Sequence, residues 1–365
     1  MAEIRVEDLR KVFHDFVAVQ GSTFAIENGT FFVMLGPSGC GKTTTLRMIA
    51  GLELPTSGRI LLDGEEVTFR RAAERDIAFV FQLFALYPHM NVADNIGFPL
   101  KCEGVARSEI RRQVVEAARL LRIEHLLKRK VSNLSGGDRQ RVALGRAIVR
   151  RPKAFLMDEP LGALDAELRR DMSEELRDLH DRIGATTVYV THDQLEAMSM
   201  ADRIVVMNHG VVEQIGAPQE IYDLPATMFV ADFVGSPPMN FIRFEGRLKP
   251  NDISVRLGGA NVAIPASREG SSSEALVLGV RPEHVSFSDA APMRGRVFGA
   301  EYLGTTQIVT VDTERGQIKA RLPSLNQVRS GETVGLKFKS EALIVFDGAT
   351  GRAMRSALHE GVRHG

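Results

Sequence analysis

The sequence predicts an α/β fold: a P-loop nucleotide-binding domain with a helical insert, followed by a small OB-like β-barrel. Three observations lead there. A glycine-rich loop, Gly36-Pro37-Ser38-Gly39-Cys40-Gly41-Lys42-Thr43, joins the apolar run Phe31 to Leu35 to the helix-forming run Lys42 to Ala50. Short apolar runs alternate with longer amphipathic segments through the first two-thirds of the chain, the texture of a largely buried sheet covered by helices. Past Gly235-Ser236-Pro237-Pro238 the texture becomes short alternating runs broken by glycine.

The loop is the most informative element. Its glycines let successive backbone N–H groups turn inward as an anion nest, and the following helix N-terminus adds partial positive charge. Lys42 then reaches the terminal phosphates of a nucleoside triphosphate, and the Thr43 hydroxyl supplies a ligand for Mg²⁺. A plain strand-to-helix turn needs neither a lysine nor a hydroxyl at these places. The candidate nucleotide contacts in this stretch are Gly36, Pro37, Ser38, Gly39, Cys40, Gly41, Lys42, Thr43 and Thr44.

The remaining strands of the first domain read as Ile77 to Phe81, Ala154 to Met157, Thr187 to Val190 and Ile204 to Met207. Between Pro88 and Arg150 apolar residues recur at three- and four-residue intervals (Ile110, Val114, Ala117, Ala118, Leu121), which marks the helical insert. In the second domain Ile253 to Leu257 and Asn261 to Ile264 read as a hairpin across Gly258-Gly259. Ala275 to Val280, Ile308 to Val311 and Thr333 to Phe338 read as further strands of a barrel. The expected division is residues 1–235, with the insert at about 88–150, then 236–355, then a flexible tail 356–365.

Bulk composition narrows the partners. The 365 residues carry 46 basic and 46 acidic side chains with no block of like charge, so nothing points to a nucleic-acid surface. The two cysteines, Cys40 and Cys102, are far apart, and a disulfide at Cys40 would hinder the nest, which fits a reducing compartment. Cys40 reads as structural, with a thiol that modification could reach near the nucleotide. No stretch approaches the roughly 18 apolar residues of a spanning helix, so a membrane role is expected to be peripheral.

Ala154-Phe155-Leu156-Met157-Asp158-Glu159-Pro160 ends an apolar strand in two adjacent carboxylates. A triphosphatase needs a metal partner and a water-orienting base at such a place, so Asp158 is assigned to Mg²⁺ and Glu159 to the water. One carboxylate, Thr43 and phosphate oxygens suffice for Mg²⁺, which keeps much of its water shell. Leu134-Ser135-Gly136-Gly137-Asp138-Arg139-Gln140-Arg141 opens a second helix with a serine and two glycines, which reads either as an ordinary capping box or as a second phosphate-binding end. One nucleotide rarely needs two such ends from distant parts of one chain, which favours a symmetric head-to-tail pair sharing two nucleotides.

From Glu3 to about Phe233 these motifs, in this order, resemble the ATP-binding cassette family, the ATPase subunits of membrane transporters. The resemblance implies that Leu134 to Gly137 is the signature whose Ser135, Gly136 and Gly137 contact ATP on the partner subunit. It implies that Gln82 touches Mg²⁺ and relays the transporter state. Asp165, in Leu161-Gly162-Ala163-Leu164-Asp165, belongs to the loop linking the two sites; His192 contacts the γ-phosphate, and Phe13 stacks on adenine. The implied catalytic set is Glu159, His192 and Gln82, the metal set Thr43, Gln82 and Asp158, and the cofactors ATP and Mg²⁺. The subfamily usually has glutamine at position 138; Asp138 puts a negative charge there, which favours the helix dipole and disfavours a nearby γ-phosphate.

Leu83-Phe84-Ala85-Leu86-Tyr87-Pro88-His89-Met90 is similar to the surface of carbohydrate-importer ATPases that receives a permease helix. Gly235-Ser236-Pro237-Pro238-Met239-Asn240-Phe241 and Leu278-Gly279-Val280-Arg281-Pro282-Glu283-His284 resemble the regulatory β-domain of maltose-type and glycerol-3-phosphate-type importers. The resemblance implies a homodimer at the cytoplasmic face of the cell membrane, two permease subunits and, indirectly, an extracytoplasmic solute-binding protein, with no nucleic acid. Its expected work is ATP-driven import of a sugar, polyol or sugar derivative. The alternatives are an importer of a polyamine, metal or inorganic anion and, of a different class, a soluble ATPase acting on nucleic acid or ribosomes.

Overall fold

The computed structural model describes residues 2–257, 259–291 and 293–360. The chain divides into two compact units between Pro218 and Gln219.

The first unit holds two sheets. Strands β1 (Ile4–Phe13), β2 (Phe16–Ile26), β4 (Ser57–Leu62) and β5 (Glu65–Glu66) form an antiparallel sheet in the order β2-β1-β4-β5. Strands β3 (Phe31–Leu35), β6 (Ile77–Val80), β7 (Ala154–Asp158), β8 (Thr186–Thr191), β9 (Arg203–Asn208) and β10 (Val211–Gly216) form the larger one, in the order β10-β9-β3-β8-β7-β6. It is parallel from β9 to β6, with β10 added antiparallel at the edge. Every residue of β3, β7 and β8 is buried, which is why these strands read as unbroken apolar runs instead of alternating ones.

Helix α1 (Lys42–Ala50) shares one core with both sheets: Leu46, Met48 and Ile49 are fully buried among Ile4, Val6, Phe32, Met34, Val188 and Val205. Truncating Leu46 to alanine would cost about 2–5 kcal/mol, and it would loosen the helix that the phosphate loop feeds. The insert forms as α2 (Val92–Cys102), α3 (Arg107–Leu120) and α4 (Gly136–Ile148), and α5 (Ala166–Ile183) and α6 (Gln194–Met200) complete the unit. Helix α2 starts at Asn91, whose side chain accepts from the Asp94 N–H at 2.8 Å.

The second unit begins with α7 (Pro218–Asp223, its first residue before the division) and α8 (Met228–Phe233). Its strands are β11 (Asn240–Glu245), β12 (Ser254–Leu257), β13 (Ala260–Ala263), β14 (Ala275–Val280), β15 (Val285–Phe287), β16 (Met293–Tyr302), β17 (Thr306–Thr313), β18 (Gly316–Pro323), β19 (Thr333–Phe338) and β20 (Ile344–Asp347). They pair antiparallel as β11-β14-β20, β12-β13 and β15-β19-β16-β17-β18 around an aliphatic core that includes Leu276, Leu278, Val297, Val309, Val311, Ile318 and Leu336. The β12–β13 hairpin pairs Ser254 with Ala263, as its sequence leads one to expect, with Gly258 outside the described residues.

The division lies upstream of the Gly235-Ser236-Pro237-Pro238 turn for a reason visible in one side chain. Arg281, 2% exposed, donates to the carbonyls of Tyr222, Ala231 and Val234, and its guanidinium lies 4.1 Å from the Tyr222 ring centroid. The two short helices are thus fastened to the β unit. The expected flexible tail also differs in part: Ala357–Glu360 forms a 3-10 turn, with Arg268 holding Glu360 at 2.6 and 2.9 Å, while residues 361–365 of that expectation lie outside the described residues.

Candidate functional site

The site collects at the carboxyl ends of the parallel strands, where an open α/β sheet leaves a crevice for a ligand. Register does the gathering: Leu35 pairs with Thr191, and Asp158 with Val190, so the segments after β3, β7 and β8 emerge side by side. Gln82 follows β6 one strand further along.

The loop between β3 and α1 leaves no room for a side chain at its first and last glycines. A Cβ on Gly36 would lie 2.3 Å from the Met207 carbonyl oxygen, and one on Gly41 would lie 2.5 Å from that of Ala18. Gly41 also has φ 102°, a left-handed conformation that glycine alone takes readily. No side chain caps α1, which leaves its first-turn N–H groups for an anion. Lys42, 4% exposed, is anchored across the loop by donating to Gly36 O at 2.7 Å and Pro37 O at 2.9 Å. Cys40 is buried against the same lysine (Sγ to Nζ 3.7 Å), and burial pushes its thiol pKa up, which disfavours the reactive thiolate.

Thr43 Oγ1 donates to Asp158 Oδ1 at 2.8 Å, so the hydroxyl and carboxylate singled out for the metal meet. Asp158 is 7% exposed; burial first of all raises its pKa, against the lowering effects of the Thr43 hydrogen bond and of Arg47. A buried carboxylate that is costly to ionise, beside a hydroxyl, is a hard-oxygen donor pair suited to Mg²⁺. Among the described residues no group of three or more His, Cys, Asp or Glu side chains forms a cage.

Glu159 turns out of β7 with φ 43°, an uncommon conformation for a side-chain-bearing residue, while its N–H still donates to Val190 O at 3.1 Å. The turn presents its carboxylate between two neighbours: Gln82 Nε2 donates to Oε2 at 3.4 Å, and His192 Nδ1 lies 3.3 Å from Oε1. The catalytic trio expected from the sequence is therefore contiguous.

Phe13 stands at the tip of the β1–β2 hairpin, partly exposed, with Lys11 Nζ 4.6 Å from its ring centroid. Asp165 caps α5, accepting from the Leu168 N–H at 3.0 Å. Ser135 caps α4, and Gly136 and Gly137 are packed where a Cβ would come 3.1 Å from Leu164 and 3.2 Å from Leu168. Among the described residues no hydrogen bond joins Ser135, Gly136 or Gly137 to the phosphate loop.

Family models match residues 19–162 as ABC transporter, 235–285 as MalK OB fold domain and 278–346 as TOBE domain. A trehalose/maltose import ATP-binding protein, MalK of Thermococcus litoralis, is 46% identical over 97% of this chain and 100% of its own. The chain belongs to the ATP-binding proteins of ABC transporters. The sn-glycerol-3-phosphate import ATP-binding protein UgpC of Paraburkholderia xenovorans is 44% identical over 96% of this chain and 99% of its own. Among solved structures, a bacterial ABC transporter cassette determined as a dimer superposes with a TM-score of 0.54 at 31% identity, covering 59% of this ABC protein and 98% of the other chain. The OB fold description bears out the barrel expected for the second domain.

Sequence reasoning missed two features around this ATPase site. Arg141 pairs with Glu175 at 3.0 Å through both ends of its guanidinium and with Asp138 at 3.3 Å, tying α4 to α5 beside the signature. Arg146 donates to the carbonyls of Phe84 and Ala85, holding the segment after Gln82. The Arg141–Glu175 and Arg146 pairings have no local signature, because those partners are 34 to 62 residues apart.

Proposed function

We propose that this chain is the ATP-hydrolysing motor of an importer for a sugar, polyol or sugar derivative. The observation that supports this most strongly is near-full-length likeness to import subunits, β unit included, together with Glu159 set between Gln82 and His192 beside the Thr43–Asp158 pair.

In this reading two copies form a head-to-tail pair, since one nucleotide rarely needs two such helix ends from distant parts of one chain. Each ATP is held by Lys42 and the loop N–H groups of one copy and by Ser135 and Gly137 of the other, with Phe13 against the base. Thr43, Asp158 and Gln82 would hold Mg²⁺, which would neutralise phosphate charge. Glu159 accepts the proton of the attacking water, Gln82 orients that water, and His192 donates toward the γ-phosphate. Closure of the pair moves the permease and hydrolysis releases it.

The segment Leu83 to Met90 is the surface proposed to receive a permease helix: Leu83 is 80% exposed, and Asn95 fixes the backbone of Tyr87 through both its N–H and its carbonyl. No helix among the described residues is long and apolar enough to cross a membrane. In this reading the permease subunits supply the channel, and this chain sits peripherally at their cytoplasmic face. A solute-binding protein outside delivers the cargo.

The test is isolation from native membranes in mild detergent, identification of partners, and assay of ATPase turnover with the partner binding protein and candidate solutes. Co-purifying permease subunits with sugar-stimulated turnover support the reading. Stimulation by a polyamine or inorganic anion instead, or a chain bound to ribosomes or nucleic acid, overturns it.

A further inference from the structure

The second unit contains a groove of about 750 Å³ between the β11 edge, the β12–β13 hairpin and the β17–β18 turn. Three arginines from these three elements line it, Arg243, Arg256 and Arg315, against a single carboxylate, Glu245. Arg315 is pre-positioned: its Nη1 donates to Arg243 O at 2.9 Å, and Thr313 Oγ1 holds its turn by accepting from the Arg315 N–H at 3.1 Å and donating to Gly316 O at 2.7 Å. Among the described residues neither Arg243 nor Arg256 has an ion-pair partner. The opposite wall is fixed as well, since Asp347 accepts from the N–H groups of Ala349 and Thr350 at 2.9 and 3.0 Å and sets the turn at Gly348.

Like charges gathered from separate elements repel one another unless an anion lies between them. Guanidinium groups match phosphate oxygens in fork geometry, and a phosphomonoester near neutral pH carries about two negative charges, the net excess of the groove. The volume lies within the range of small-molecule sites and exceeds what a bare phosphate fills, which leaves room for a carrier the size of a sugar.

We propose that this groove is a binding site for a phosphate dianion, carried by a phosphorylated sugar or present as free phosphate, and that the β unit senses it. Only the sugar carrier rests on the import reading; the anion site stands on the groove alone.

The test titrates the full chain with glucose 6-phosphate, inorganic phosphate and glucose by calorimetry, which needs neither permease nor hydrolysis and so cannot fail with the import reading. Saturable binding of a phosphate-bearing probe is expected, with glucose silent. Affinity should fall at least about tenfold in Arg256→Gln/Arg315→Gln, rise in Glu245→Gln, and be unchanged in Lys42→Ala, which separates the groove from the phosphate loop. Tighter glucose 6-phosphate assigns the site to a phosphorylated sugar, and equal affinity assigns it to free phosphate. Absence of saturable binding, binding that survives both arginine substitutions, or binding lost in Lys42→Ala overturns the proposal.

Discussion

The Ser135 hydroxyl donates to Asp138 Oδ2 at 2.8 Å, and the Asp138 N–H donates back to Ser135 Oγ at 3.2 Å. The residue that departs from the subfamily's usual glutamine thus occupies the hydroxyl proposed to meet the γ-phosphate bound by the other copy. Before Ser135 can donate to phosphate it must leave Asp138, and the carboxylate remains beside an incoming anion. Arg141, shared with Glu175, offsets part of that charge.

Replacing Asp138 by glutamine should therefore have opposite effects on subunit and dimer. The subunit loses a favourable charge at the α4 N-terminus, a few tenths of a kcal/mol. The ATP-loaded dimer gains at two sites, about 1–2 kcal/mol in all, or roughly 5- to 30-fold in affinity. Sedimentation equilibrium with ATP, in a Glu159→Gln background that blocks turnover, measures this; an unchanged dimer affinity would defeat the account of Asp138.

Asp158 links the site to stability. Its pKa is raised on folding, chiefly by burial, so the folded state holds the proton more tightly than the unfolded chain. The cost of ionising it is fully present above the raised value and relieved as pH falls toward the ordinary carboxylate range. Asp158→Asn keeps an acceptor for Thr43 and removes the charge, so without nucleotide it should melt above the parent at pH 7.5. That gap should shrink toward pH 4, while turnover is lost. A melting difference independent of pH would show that the burial of Asp158 carries no such cost.

Arg281 supports the second unit as a three-carbonyl clamp. Arg281→Met removes the guanidinium from the carbonyls of Tyr222, Ala231 and Val234, of which Ala231 O keeps the Met239 N–H at 3.4 Å, and should destabilise that unit by about 2–4 kcal/mol. Arg281→Lys should recover little, because one ammonium cannot span three separated carbonyls. Urea unfolding followed by a probe in the β unit, with nucleotide titration as a control on the first unit, reads this directly. Wild-type stability in Arg281→Met would remove the clamp.

The parallel strands and the phosphate loop were legible because their signals are local: Phe31 to Leu35 is uniformly apolar, and lysine and threonine follow the glycines at fixed spacing. The antiparallel sheet was not, because β1 is bulged between Val6 and Arg10 and again after Lys11, with Asp8 at φ 46°, so its inward residues do not alternate. In the β unit Ala275–Val280 and Thr333–Phe338 were legible to the residue, whereas the roles of Arg281 and of the groove arginines depend on partners far off in sequence. At the site, chemistry could be assigned to Asp158 and Glu159 from sequence, but the bracketing of Glu159 needs the strand order that brings β6, β7 and β8 together.

The central claim is that Glu159 is the base that activates water while Lys42 and the loop hold the triphosphate. The most direct measurement is steady-state turnover of Glu159→Gln alongside its ATP affinity. The account predicts turnover lowered roughly 10²- to 10⁴-fold with ATP binding retained, since glutamine keeps the shape and the acceptor but cannot take a proton at neutral pH. Near-normal turnover in Glu159→Gln would contradict it.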